Sequence, residues 1–297
     1  MRQMSVLLIL LSGCTAQAQM ELELSFGDGQ TSTVVIDSVP ISYLDQGSGP
    51  MVVFFHPAVD FRYWQFVIAD VSQEFRTVAL PRNREVPFKY EDITTGLTSF
   101  LEQIDDGPVH LVSHSAGGAL ALQYAINTPE KLLSLTVVEP AFAPDPTSIL
   151  ALFAAMDANP VDPADCDLPE ITEAEHALCM SLQSQINEPG FFRNAPDSLV
   201  QILLEADEKN AARVAIMGEP PMDFSMDICA ELGGLPMPIL FIRGELTPEF
   251  ILDSLDAYEA CLPDHESEVI ANSAHYPFVY NPEAFNETLL RFLRRLH

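Results

Sequence analysis

The sequence predicts an α/β fold, in which a mostly parallel central sheet is flanked by helices and interrupted by an inserted helical stretch. Three observations predict it. Continuous apolar runs such as MVVFF at 51–55 alternate with segments of helical periodicity, the mark of βαβ units. The 297 residues, 48% of them hydrophobic, suffice for one large core with an insertion. Between about Ala141 and Leu235 the strand rhythm stops and prolines and acidic residues become frequent.

Each element has its own justification. Thr33–Ile36 and Pro40–Leu44 read as strands around a turn at Asp37-Ser38, and Asp45–Pro50 is a run of turn formers. Met51–Phe55 is apolar throughout, as a strand covered on both faces must be. Tyr63–Phe75 reads as a helix, Arg76–Leu80 as a strand and Tyr90–Ile104 as a helix. Val109–Val112 is a short strand that runs into the small residues of VSHSAGG, and Ala116–Asn127 continues as a helix. Leu133–Val138 is the next strand. Beyond the insertion, Pro238–Ile242 is a strand, Pro248–Cys261 a helix and Glu268–Ile270 a strand. In the last helix Asn281 is the N-cap, Pro282 and Glu283 fill the first turn, and Arg291, Arg294 and Arg295 complement the dipole at its end. Phe285, Leu289, Phe292, Leu293 and Leu296 form its apolar face.

These readings divide the chain into a targeting segment at 1–18, a first part of the core at 19–140, a helical cap at 141–235 and the rest of the core at 236–297. Within the cap, Phe153, Met156, Phe191, Phe192, Leu203 and Met217 could line an apolar cavity or pack cap helices together.

Charge narrows the partners. Only 14 residues are Lys or Arg against 43 Asp or Glu, so the surface repels phosphate backbones and anionic headgroups, and nucleic acid is not an expected partner. The N-terminus, MRQMSVLLILLSGC, has a basic start and an apolar run too short to span a bilayer, which is the form of an export signal. Its LSGC resembles a bacterial lipobox, which implies lipidation at Cys14 and anchoring in the cell envelope. Ala16-Gln17-Ala18 offers the alternative of cleavage to a soluble exported protein. Cys166, Cys179, Cys229 and Cys261 remain, with three possible pairings or four buried thiols.

A serine hydroxyl needs a histidine to take its proton and a carboxylate to orient that histidine. Ser115 stands between an apolar strand and a helix in SHSAGG, and His275 follows a strand in NSAHYPF. With FFHP, VVEP and FIRGELTP, these stretches closely resemble the α/β-hydrolase family from roughly Val34 to the C-terminus. The resemblance implies a nucleophile elbow at Ser115 with His275 as its base. Its usual first glycine is Ser113 here, and the tight turn asks for a small residue there and at Gly117. Oxyanion donors would be the Ala116 and Ala58 N–H groups, with Val59 as fallback, because His56-Pro57 replaces the usual His-Gly. His56 suits a structural role in that loop, and His114 is expected to point away from the nucleophile.

Thr247 occupies the place where many relatives carry their aspartate. Glu139, Glu245 and Glu249 are the remaining candidates. Glu139 ends the strand following the nucleophile strand, with Pro140 expected to keep it extended; Glu245 is the alternative. The resemblance implies a serine hydrolase that cleaves a small-molecule ester, lactone or related carbonyl through an acyl-enzyme, with no cofactor. A non-catalytic binding protein, a C–C hydrolase and a cofactor-free haloperoxidase are the alternatives. No residue cluster has metal spacing; Asp162, Asp165 and Asp167 read as a solvated loop, and the sequon at Asn286 lies within a helix.

Overall fold

Strand β3 (Met51–Phe55) is buried at all five positions, and its side chains separate by parity. Met51, Val53 and Phe55 enter one apolar cluster, Val52 and Phe54 another. Successive side chains of a strand face opposite ways, so an unbroken apolar run calls for a layer on each side of the sheet. The structure is a computed structural model that describes residues 31–36, 39–56, 61–80, 93–104, 107–141, 166, 172–174, 176–177, 179, 200–205 and 228–297.

Among these residues the strands are β1 (Thr31–Ile36), β2 (Val39–Gln46), β3, β4 (Arg76–Ala79), β5 (Val109–His114), β6 (Leu132–Val138), β7 (Ile239–Gly244) and β8 (Glu266–Ile270). They form one sheet in the order β1-β2-β4-β3-β5-β6-β7-β8. The pairs β1/β2 and β2/β4 are antiparallel, and the other neighbours are parallel. The helices are α1 (Gln65–Val71, after a 3-10 turn at Phe61–Trp64), α2 (Ile93–Ile104), α3 (Ala116–Asn127), α4 (Cys229–Leu232), α5 (Glu249–Cys261), α6 (Pro277–Tyr280) and α7 (Pro282–Arg294).

Phe100 of α2, Leu122 of α3 and Leu255 of α5 cover one face of the sheet, while Ile68 of α1 and Phe285, Leu289 and Phe292 of α7 cover the other. The last helix follows its sequence closely: the Asn281 side chain accepts the Ala284 N–H at its start, and Arg291 and Arg294 lie in its last turn.

Two elements differ from expectation. The helix expected over 63–75 is a 3-10 turn and a short α-helix that ends at Val71, because Phe75 is drawn into the core and its N–H closes on the Val71 carbonyl. β8 begins at Glu266 rather than Glu268. As an edge strand it keeps Glu266 and Glu268 in water, where they pair with Arg295, just past the end of α7, and with Arg291 of α7, so its first residues lack an apolar signal. Pairing of the cysteines is decided as Cys166 with Cys179 and Cys229 with Cys261, the latter joining α4 to the end of α5.

The segment 1–18 with Cys14, the Asp37-Ser38 turn, Ala58 and Val59, the loop at Asp162, Asp165 and Asp167, and most of 141–235 lie outside the described residues. The same holds for Phe153, Met156, Phe191, Phe192 and Met217. Leu203 is buried in helical segment 200–205 and belongs to the same apolar cluster as Ile68 of α1 and Phe285 of α7. Arg62 fastens that segment through Glu205, 2.6 Å away. Asn286 is buried and donates to Asp70 and the Phe66 carbonyl, a packing role. No described helix is long and apolar enough to cross a membrane.

Candidate active site

Parallel strands deliver their C-terminal ends to one edge of the sheet, so residues far apart in sequence meet there. Ser115 follows β5, Glu139 follows β6, Gly244 ends β7, and His275 lies in the loop after β8.

Ser115 has φ 55 and ψ −128, a conformation costly for a residue with a side chain. The strain is held in place by the Ser115 N–H donating to the Val138 carbonyl and by the Gly118 N–H donating to the Ser115 carbonyl. Although Ser115 stands at the N-cap of α3, its side chain makes no capping bond. Its Oγ instead lies 3.1 Å from Nε2 of His275. Ser113 fits the turn because its hydroxyl reaches across to the Thr136 carbonyl, 3.3 Å away on β6. The tight approach falls at Gly118, where a Cβ would stand 2.9 Å from Val137 Cγ1 and 3.3 Å from Pro140 Cα. Ala116 opens α3, so its N–H has no acceptor within the helix.

His275 is buried, and its Nδ1 faces Glu139 Oε2 at 3.6 Å. Neither atom has a hydrogen-bond partner among the described residues. A shift of about half an ångström would join them, since such bonds run to about 3.2 Å. Glu139 Oε1 is held on its other side by the Gly244 N–H, 2.6 Å away, and by the Thr247 hydroxyl. Burial pushes the Glu139 carboxyl up to about 8, while those two bonds and the Arg243 charge hold it back. Burial pushes His275 down to about 3, so its ring is neutral near neutral pH. The tautomer that serves both contacts carries its proton on Nδ1 toward Glu139 and its lone pair on Nε2 toward Ser115.

Glu139 does not reach this place by an extended backbone. Its φ is 47, and the bias that Pro140 imposes is overruled by its N–H bonding to the Ile242 carbonyl and its carboxylate bonding to the end of β7. Glu245, the alternative acid, is exposed and accepts the Asn272 N–H at 3.0 Å, bracing the histidine loop. Glu249 is exposed in the first turn of α5. Gly244 sets the spacing between β7 and that loop, because a Cβ there would stand 2.2 Å from the Ser273 carbonyl oxygen and 2.6 Å from that of Ala274.

His114 points inward and is fully buried. Its Nε2 donates to the His275 carbonyl at 2.6 Å, which leaves Nδ1 to accept from the Tyr63 hydroxyl at 2.9 Å. Burial keeps it neutral, well below the usual histidine range. His56 stacks on its ring at 5.6 Å. Sequence reasoning expected structural roles for His56 and His114 but did not assign the bonds from His114 to the His275 carbonyl and to Tyr63. Thr247 was legible only as a missing acid, and Tyr63 carries no local signal linking it to a histidine loop more than two hundred residues away.

Residues 52–288 match the profile of the alpha/beta hydrolase family. The chain belongs to that family. Among curated relatives of this alpha/beta hydrolase, an uncharacterized protein of Mycobacterium tuberculosis is 23% identical over 267 residues, covering 83% of this chain and 76% of its own. The pimeloyl-[acyl-carrier protein] methyl ester esterase of Aeromonas hydrophila is 25% identical over 265 residues, covering 83% and 96%. Among solved structures, the naproxen esterase of Bacillus subtilis superposes with a TM-score of 0.67 at 18% identity over 94% of this chain and 96% of that one, a likeness of fold.

Proposed function

We propose that the protein is a serine hydrolase that cleaves an ester, lactone or related carbonyl compound through an acyl-enzyme. The observation that carries this reading is the line of three side chains from separate strand ends: Ser115 Oγ lies 3.1 Å from His275 Nε2, and His275 Nδ1 faces Glu139.

In this reading His275 removes the Ser115 proton as Oγ attacks the carbonyl carbon, and Glu139 stabilises the imidazolium. The Ala116 N–H, with Ala58 as its proposed partner, receives the developing oxyanion. Collapse expels the alcohol, which takes the proton from His275. Water then attacks the acyl group by the same path, giving up its proton to His275, which returns it to Ser115. Every proton in the cycle moves through this chain's own side chains.

The relatives support an ester carbonyl as the shared chemistry, since one is named for a methyl ester and the structural neighbour is named an esterase. With 43 acidic residues against 14 basic ones, the protein favours neutral over polyanionic substrates. A fluorophosphonate probe tests the proposal: the wild type is labelled and Ser115→Ala is not. A wild type left unlabelled would favour a non-catalytic binding protein.

The proposal extends to location. The N-terminal pattern and the two disulfides support export to an oxidising cell envelope, with a lipid at Cys14. Incorporation of radiolabelled palmitate, lost in Cys14→Ala, is the expected result; unlabelled protein cut after Ala18 would show the soluble alternative.

A further inference from the structure

The turn after β7 divides its work between the two partners of the serine. Gly244 and Thr247 bond Glu139, whereas Glu245 and Leu246 bond the histidine loop, the Leu246 N–H donating to the Ser273 carbonyl at 2.9 Å and the Glu245 N–H to that of Ile270 at 2.9 Å. We propose that Thr247 is a positioning residue for the acid: its hydroxyl and the Gly244 N–H pin Oε1 of Glu139, so that Oε2 is the oxygen presented to His275. This inference rests on the serine-hydrolase reading.

Glu139 is fully buried, and a carboxylate in such surroundings must be held by donors or it turns toward whichever donor it finds. Gly244 supplies one donor, fixed by the close approach of its backbone to Ser273 and Ala274. Thr247, itself buried, supplies the second. Its hydroxyl also lies 2.7 Å from the Gly244 carbonyl oxygen. One hydroxyl hydrogen cannot serve both acceptors at once, so its direction follows the charge of Glu139. With Glu139 ionised, the hydroxyl donates to Oε1. With Glu139 protonated on Oε1, the acid donates to Thr247 and the hydroxyl turns to the Gly244 carbonyl. Either way Oε1 stays engaged and Oε2 keeps its aim. In the ionised state the hydroxyl also favours the charged form, which is the form His275 needs.

The test compares Thr247→Val, which keeps the shape and loses the hydroxyl, with Thr247→Ser, which keeps the hydroxyl and loses a methyl. The readout is the second-order rate of labelling by a fluorophosphonate probe as a function of pH, with the thermal midpoint recorded for each variant. We expect Thr247→Val to label about tenfold more slowly at neutral pH, with its acid limb moved upward by about one pH unit, as for loss of one hydrogen bond to a charged group. Thr247→Ser should stay within about threefold of the wild type. If Thr247→Val does not fold, Thr247→Ala reads the same limb. A Val or Ala variant with the wild-type rate and pH profile overturns the proposal, as does a Ser variant that falls as far as Val. Failure of the wild type itself to label overturns the serine-hydrolase reading instead, which keeps the two failures distinct.

Discussion

Replacing Glu139 by glutamine tests the proposed mechanism at its most constrained point. The Gly244 N–H sits 2.6 Å from Oε1, so the new amide must place its carbonyl oxygen there, where a donor awaits, and its NH2 group at the Oε2 position. That NH2 then faces His275 Nδ1, which must become an acceptor and send its proton to Nε2. The lone pair aimed at Ser115 is lost. Loss of the orienting carboxylate with the wrong tautomer in place costs about 10⁴ in kcat, equivalent to about 5.5 kcal/mol of barrier. KM should change little, since Glu139 is buried behind the histidine. Steady-state hydrolysis of p-nitrophenyl acetate and the rate of fluorophosphonate labelling both read the effect. Removal of a buried ionisable group should not harm the fold. Burial raises the Glu139 carboxyl in the folded state, so folding binds its proton more tightly, and stability falls as pH rises from the ordinary carboxylate range toward about 8. The glutamine variant should therefore melt no lower than the wild type at alkaline pH. A rate within tenfold of the wild type, together with collapse in Glu245→Gln, would refute the reasoning and move the acid to the exposed loop.

Other consequences follow from the same contacts. Because the reaction needs an ionised Glu139 and burial pushes that group up to about 8, kcat/KM should rise with pH through neutrality and level off above it, with no second limb from His275 because burial pushes that group down to about 3; a flat profile between about pH 6 and about pH 9 would contradict this. Gly244→Ala should lower kcat by at least about tenfold and stability by about 1–3 kcal/mol, measured by hydrolysis and urea unfolding, because its Cβ would meet the Ser273 and Ala274 carbonyls and force the histidine loop outward. His114→Gln, whose amide can still donate to the His275 carbonyl, should keep more activity per folded molecule than His114→Leu, which cannot; equal activity of the two would show that the bond at 2.6 Å does not position the base.

Local patterns made most of the fold legible. An unbroken apolar run marked β3, a short apolar stretch running into a small-residue turn marked β5, and the Asn281 cap marked the start of α7. The sequence was weakest where tertiary contacts outweigh local preference: Phe75 ends α1 early by entering the core, and the first residues of β8 are charged because that strand is an edge. At the site, Ser115 and His275 carry local signatures, a small-residue turn and a loop between strand and helix. Glu139 was reachable as an acid at a strand end, although Pro140 gave the wrong reason, since the backbone there has φ 47.

Neighbouring residues alone place a serine at the end of one apolar strand and a histidine beyond a later strand, because side-chain periodicity and turn chemistry are local. Sheet order and packing settle which carboxylate faces the histidine, how Thr247, Gly244 and His114 hold the pair, and which cysteines join. The site contacts join strand ends more than a hundred residues apart and the disulfides join cysteines 13 and 32 residues apart, and none of these distances is fixed until the sheet is ordered and packed.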